Sequence, residues 1–216
     1  MSTEVIAQTK NYIKNLLQQD STGHDWWHIH RVYNLAVHLA KKENANLFVV
    51  ELAALLHDIA DWKFNKGDDQ LGVQLARQWL NELAVETSTI DHVCAIINDM
   101  PFKGAGTSST MSTLEGMIVQ DADRLDALGA IGIARTFAYG GYAGRPPHDP
   151  TIQPKLHTSF AEYKQHQGTT INHFHEKLFL LKNRMNTATA KAIAEKRHLL
   201  MENFVNEFLM EWDYFG

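Results

Sequence analysis

A chain of 216 residues suits one sizeable domain, and a second independent core would be cramped. Apolar residues make up 44%, which excludes a disordered chain, and the formal net charge of -5 excludes the basic surface usual in proteins whose main task is gripping nucleic acid. The lone cysteine, Cys94, excludes an internal disulfide and a cysteine-rich zinc site. A chain of this charge binds a small polyanion only with help from a metal or a local cationic pocket.

Most segments carry helical periodicity and few alternate strictly, so the expected class is all-α, a helical bundle. The first helix is expected over residues 3–18, with Val5, Ile6, Tyr12, Ile13, Leu16 and Leu17 on its apolar face. This opening lacks the apolar run of a signal peptide, and no stretch approaches the ~18 apolar residues of a membrane span, so the expectation is a soluble cytoplasmic protein without a membrane partner. Further helices are expected at 26–42, 46–60, 68–84, 88–98 and 112–138, the last broken near Gly129. Two long helices fill 171–213, parted around Asn186-Thr187, where either residue suits an N-cap. Two loops carry breaker chemistry: MPFKGAGTSST (100–110), and YGGYAGRPPHDPTIQP (139–154), which holds four of the five prolines. Loops of that length in a compact domain often bind or cover a ligand.

The stretch GHDWWHIHRV crowds three histidines around a helix start. Asp25 is a fair N-cap, and Val32, Leu35, Ala36 and Leu39 mark the buried stripe. One turn back from Val32 stands His28, which therefore leads that stripe. His30 leads a polar face with Asn34, His38 and Lys41, and His24 precedes the cap. His28 is thus the imidazole that needs a partner. Trp26 and Trp27 are read as packing the helix start, with lining of the pocket by one of them as the alternative.

The run LFVVELAALLHDIADWKF (47–64) is apolar nearly all round up to Leu56, with Glu51 as the polar exception, which marks a helix at the centre of a bundle. It ends in His57-Asp58. An unpaired buried carboxylate is costly, so Asp58 needs a metal, His57, or a pairing with Arg31. Further on, VQDADRLDALGAIG (119–132) sets Asp121, Asp123 and Asp126 around Arg124 on an otherwise apolar helix. Helical spacing does not choose between Asp121 and Asp123, and an internal salt bridge to Arg124 is the structural alternative.

In sum, His28, then His57-Asp58, then Asp123 resembles the H…HD…D signature of the HD-domain metal-dependent phosphohydrolases. HIHRV, LLHDIAD and ADRLDALG resemble the family's flanking segments, and the tails FHEKLFLLKNRMNT and AEKRHLLMENFVNEFLMEW resemble small, single-domain bacterial members. The resemblance implies an HD-type domain over 1–216, with a core signature at 24–130 and a C-terminal helical extension at 155–216. It makes His28, His57, Asp58 and Asp123 metal ligands and leaves Asp121 as a neighbour or alternative ligand. Asp61, three positions after the doublet's aspartate, stands where relatives carry an acidic catalytic residue, although many have Glu there.

Two imidazoles and two carboxylates suit a divalent first-row ion, Mn first, with Fe, Co and Ni as alternatives and Mg as a second ion arriving with substrate. Binuclear relatives insert further histidines between the doublet and the last aspartate. Here His92 alone lies in that interval, which favours one metal. His92 is then a packed histidine, an extra ligand or a substrate contact.

The implied reaction is hydrolysis of a phosphoester or phosphoanhydride, with Asp61 and Arg31 catalytic and Lys63, Lys103, His92 and Arg145 contacting substrate. The implied substrate is a phosphorylated small molecule, a nucleotide, with nucleoside triphosphate pyrophosphohydrolysis the leading reading. A nucleoside monophosphatase or phosphodiesterase would use the same ligands. An alarmone hydrolase is disfavoured by Asp61-Trp62, where such enzymes carry Glu-Asp, and a di-iron oxygenase needs more central histidines. A non-catalytic nucleotide-sensing metal-binding module is the alternative of another class. Nucleic acid is not expected as the main substrate, since no basic face with interleaved aromatics is present. A homodimer is compatible with the sequence, which does not fix the oligomeric state.

Overall fold

The computed structural model describes residues 2–17, 25–60, 70–100, 111–156 and 168–214, and every regular element among them is helical. Seven helices come first: α1 (Ser2–Leu16), α2 (Trp26–Glu43), α3 (Leu47–Leu56), α4 (Leu71–Glu82), α5 (Thr87–Asp99), α6 (Leu114–Asp126) and α7 (Gly129–Tyr142). The C-terminal part holds α8 (Thr170–His173), a π turn (Phe174–Leu178), α9 (Phe179–Leu181), a 3-10 turn (Lys182–Arg184) and α10 (Ala188–Asp213). The described chain falls into two compact units, the first running through α6 to Ala122 and the second beginning at Asp123.

In the first unit, α3 is the central rod. Val49, Val50 and the whole run Leu52–Leu56 are buried, as its nearly all-apolar sequence demands. It packs against α1, α2 and α5, and α4 lies on α5. Its start is capped by Asn46, whose side chain accepts from the Val49 amide. Its end falls four residues earlier than the sequence periodicity suggests. The amide of Ile59 turns back to the Leu56 carbonyl at 3.1 Å, a tightened i to i+3 contact, and His57 becomes the C-cap.

In the second unit, the break expected near Gly129 is real. α6 stops at Asp126, and Gly129 opens α7 with φ +74°, a left-handed conformation that glycine adopts without steric penalty. Phe137, Phe174, Phe204 and Phe208 form the aromatic core of this unit, with ring centroids 5.7 to 6.2 Å apart. Thr187 caps α10 by accepting from the Ala190 amide, as expected. The π turn was not legible in the sequence: the Phe179 amide reaches back five residues to the Phe174 carbonyl.

Candidate metal centre

The centre is built in the first unit from a helix start and a helix end. Asp25 caps α2, its Oδ1 accepting from the His28 backbone amide at 2.9 Å. This places His28 in the first turn, facing inward at 1% exposure. His57 and Asp58 lie just past the C-terminus of α3, where the turn sends both side chains toward the same point. His28 Nε2 is 3.4 Å from Asp58 Oδ2, and His57 Nε2 is 3.7 Å from the same oxygen. The two imidazoles meet edge-on, with centroids 5.4 Å apart.

The other nitrogen of His57 decides what its ring can do. Nδ1 lies 2.9 Å from the Ala54 carbonyl, which can only accept, so Nδ1 carries the proton. Nε2 is then left with a lone pair directed toward Asp58. One ligand atom from each of His28, His57 and Asp58 lies within 4.8 Å of the others. Ligands held ~2.1 Å from one ion stand about 3 to 4 Å apart, so the spacing fits a single divalent cation. Two imidazole nitrogens and one carboxylate also have the right donor chemistry for a first-row metal. The Asp58 side chain keeps 21% exposure, which leaves the cluster open to solvent.

The sequence profile of the HD domain matches residues 26–128, an interval containing His28, His57, Asp58 and Asp123. A Bacillus thuringiensis protein of known structure, described as an HD-superfamily hydrolase, is 45% identical, with 99% of each chain covered and a TM-score of 0.78. The chain belongs to the HD-domain family. YpgQ of Bacillus subtilis is 38% identical over 201 residues, 93% of this chain and 90% of that protein. The structure of YpgQ in complex with ADP is 35% identical, covers 97% of this chain and 95% of that one, and has a TM-score of 0.76. This chain therefore carries the all-α fold of the HD-superfamily hydrolases.

Within this HD domain, the structure brings together His28, His57 and Asp58. Asp123 is half-buried near the end of α6 and belongs to the second unit. Asp121, its rival on α6, belongs to the first unit and is fully buried at 0% exposure. Arg31 is half-buried, one turn along α2 from His28. His92 lies on α5 with its Nε2 3.8 Å from Glu115 Oε2, outside the three-residue cluster. Arg145, in the second unit, sits 5.6 Å above the Tyr139 ring. Asp61, Lys63 and Lys103 lie outside the described residues. Trp26 is half-buried, whereas Trp27 is 60% exposed and meets only the edge of the His30 ring among its aromatic neighbours described, so it does not pack the helix start as expected.

What the sequence reading missed is the Ala54 carbonyl. It sets the tautomer of a proposed ligand, yet it is a backbone atom, and no residue type announces it. The spacing of Ala54 three residues before His57 at a helix end was the available signal. Among the described residues no helix is long and apolar enough to cross a membrane.

Proposed function

We propose that this protein is a metal-dependent hydrolase of phosphorylated small molecules, and that it cleaves nucleoside triphosphates to nucleoside monophosphate and pyrophosphate. The observation that carries this reading is the convergence of His28, His57 and Asp58, with the His57 proton held on the nitrogen facing away. The nucleotide as substrate class is supported by the ADP complex of the YpgQ relative.

His28, His57 and Asp58 would hold the ion, with Asp123 as a fourth ligand and Mn the favoured metal ahead of Fe, Co and Ni; Mg is assigned to a second ion arriving with substrate. A divalent ion supplies acidification of a water and polarisation of a phosphoryl oxygen. Asp61 orients the attacking water and accepts its proton. The new bond joins the water oxygen to the α-phosphorus, and the bond to the bridging oxygen breaks to release pyrophosphate. Arg31 offsets the charge that gathers on the phosphates, assisted by Lys63, Lys103, His92 and Arg145. Residues 24–130 supply the core signature and 155–216 the C-terminal extension.

The test is a release assay. Metal-stripped protein is reloaded separately with Mn, Co, Ni or Mg and offered nucleoside mono-, di- and triphosphates. The expected result is pyrophosphate from triphosphates, dependent on the metal and on His57. Orthophosphate from monophosphates would replace the substrate assignment while keeping the site. Stoichiometric metal without turnover of any nucleotide would overturn the hydrolase reading in favour of a nucleotide-sensing module.

A further inference from the structure

α10 buries one stripe and leaves the opposite one in water. Ala190, Ala194, His198, Met201 and Val205 turn inward. At about 100° per residue, the line farthest from them runs through Lys196, Leu199, Asn203, Asn206, Met210 and Asp213, and all of these are exposed. The steps along this line alternate between three and four residues, the spacing of a coiled-coil seam. Leu199 is 58% exposed and Met210 51%, so two large apolar side chains stand on a solvent face. Leu199, Asn203 and Asn206 also form one wall of a cleft of about 500 Å³, with His175 of the π turn and Phe179 of α9 on the other.

The charges of α10 are sorted along its length. The half up to Leu200 carries Lys191, Lys196 and Arg197, and its acid, Glu195, is engaged by Lys182 at 3.5 Å. The half from Met201 carries Glu202, Glu207, Glu211 and Asp213, with no lysine or arginine. Such a helix repels a parallel copy, which would set Lys196 against Lys196 and Asp213 against Asp213. An antiparallel copy suits it. The seam steps by three, four, three, four and three residues in either direction, so a two-fold axis beside the midpoint between Phe204 and Val205 pairs it with itself. Lys196 then meets the partner's Asp213, and Leu199 meets the partner's Met210. The Asn203 amide meets that of the partner's Asn206, and each can both donate and accept. Every contact occurs twice, as a closed two-fold interface requires. The opposed helix dipoles add to the match.

We propose that this face of α10 is a self-association surface, on which a second copy of the chain pairs antiparallel through Lys196, Leu199, Asn203, Asn206, Met210 and Asp213. From Lys196 to Asp213 the seam runs about 26 Å. One helix pair of that length falls in the small, transient class of interfaces, below about 1,200 Å², so the dimer forms and parts with concentration. The surface belongs to the second unit and holds no residue of the metal centre, so it is independent of the hydrolase reading.

The full chain is followed by sedimentation equilibrium from about 1 μM to about 1 mM, a span that brackets a weak complex. A monomer–dimer equilibrium is expected. Lys196→Glu and Asp213→Lys each set like charges together at both ends of the pair, and each should weaken the dimer by roughly tenfold or more. Mixed in equal amounts, the two variants present opposite charges at both ends and should recover the affinity of the unmodified chain. Both residues are exposed, so each variant should melt like the unmodified chain at low concentration, and the mixture separates a lost interface from a damaged fold. A monomer at every concentration would overturn the proposal and leave the face to a different partner. So would a dimer as tight in both single variants as in the unmodified chain, or a mixture no tighter than its components.

Discussion

His57 donates its Nδ1 proton to the carbonyl of Ala54, 2.9 Å away and three residues back, in the last turn of α3. One contact does two things. In a continuing helix that carbonyl would accept from the amide of Asp58. Engaged by the imidazole instead, it marks where α3 gives way to a turn. The same bond fixes the ring's tautomer, so that Nε2 faces Asp58 as a lone-pair donor. The end of the central helix and the orientation of a ligand meet at one carbonyl.

Metal binding follows from that geometry. His57→Ala and Asp58→Ala should each lower the affinity for Mn by at least about 100-fold, more than the 10–100-fold typical of losing an outer-shell partner. Elemental analysis after gel filtration should find about one ion per chain in the unmodified protein and little in the variants. Free metal at about 100 times its Kd should stabilise the unmodified protein by about 2.7 kcal/mol and leave the variants unmoved. Stoichiometric metal in His57→Ala would remove this residue from the ligand set.

Acid should destabilise the second unit through His173. Folded, its pKa is about 3, while the unfolded ring titrates near 6.5. Above 6.5 the ring is neutral in both states, and the full stability is present. As pH falls from 6.5 toward 3, the unfolded chain takes up a proton that the folded chain refuses, and stability drops through that window. Urea midpoints measured at about pH 7.5 and about pH 5 should differ, and His173→Asn should shrink the difference. An identical pH slope in the variant would show that other groups carry the acid sensitivity.

Much of this was legible in the sequence, for physical reasons. The apolar run from Leu47 to Leu56 could be stable only at the centre of a bundle, and α3 is there. His28 leads a stripe of buried residues, so its burial followed from periodicity, and Asp25 carries the cap its side chain suggested. The convergence of His28 with His57-Asp58 needed tertiary structure, because it joins the start of one helix to the end of another. Periodicity also could not place the end of α3, where a ring reaches a backbone carbonyl, nor the π turn at Phe174–Leu178, which shifts hydrogen bonds without changing composition. Spacing left Asp121 and Asp123 tied. Burial separates them in kind, with Asp121 wholly enclosed and Asp123 half-exposed.

Cys94 should be chemically quiet. It is 3% exposed, and its Sγ donates to the Val73 carbonyl at 3.8 Å. Burial raises its pKa, with Arg77 opposing and Asp91 reinforcing the shift. A disulfide reagent should label it at least about 100-fold more slowly in the folded protein than in urea, because the thiolate is both scarce and shielded. Rapid labelling without denaturant would mean that α5 opens far more readily than its packed apolar face implies.

Gly129 tests the joint between α6 and α7. Its φ of +74° disfavours any residue with a Cβ, and that Cβ would stand 3.0 Å from Arg197 Cγ. The backbone alone should make Gly129→Ala cost about 1–2 kcal/mol. The clash adds to this if it forces Arg197 off the Leu125 carbonyl, where its guanidinium donates. A double-mutant cycle separates the two contributions. In an Arg197→Ala background the nearest contact, Cγ at 3.0 Å, and the hydrogen bond are gone and the Cβ at 3.2 Å remains, so Gly129→Ala should cost less there than in the unmodified chain, by about 0.5 kcal/mol or more. Strict additivity would assign the penalty to the left-handed backbone and the Cβ contact, and remove the Arg197 guanidinium arm from the account.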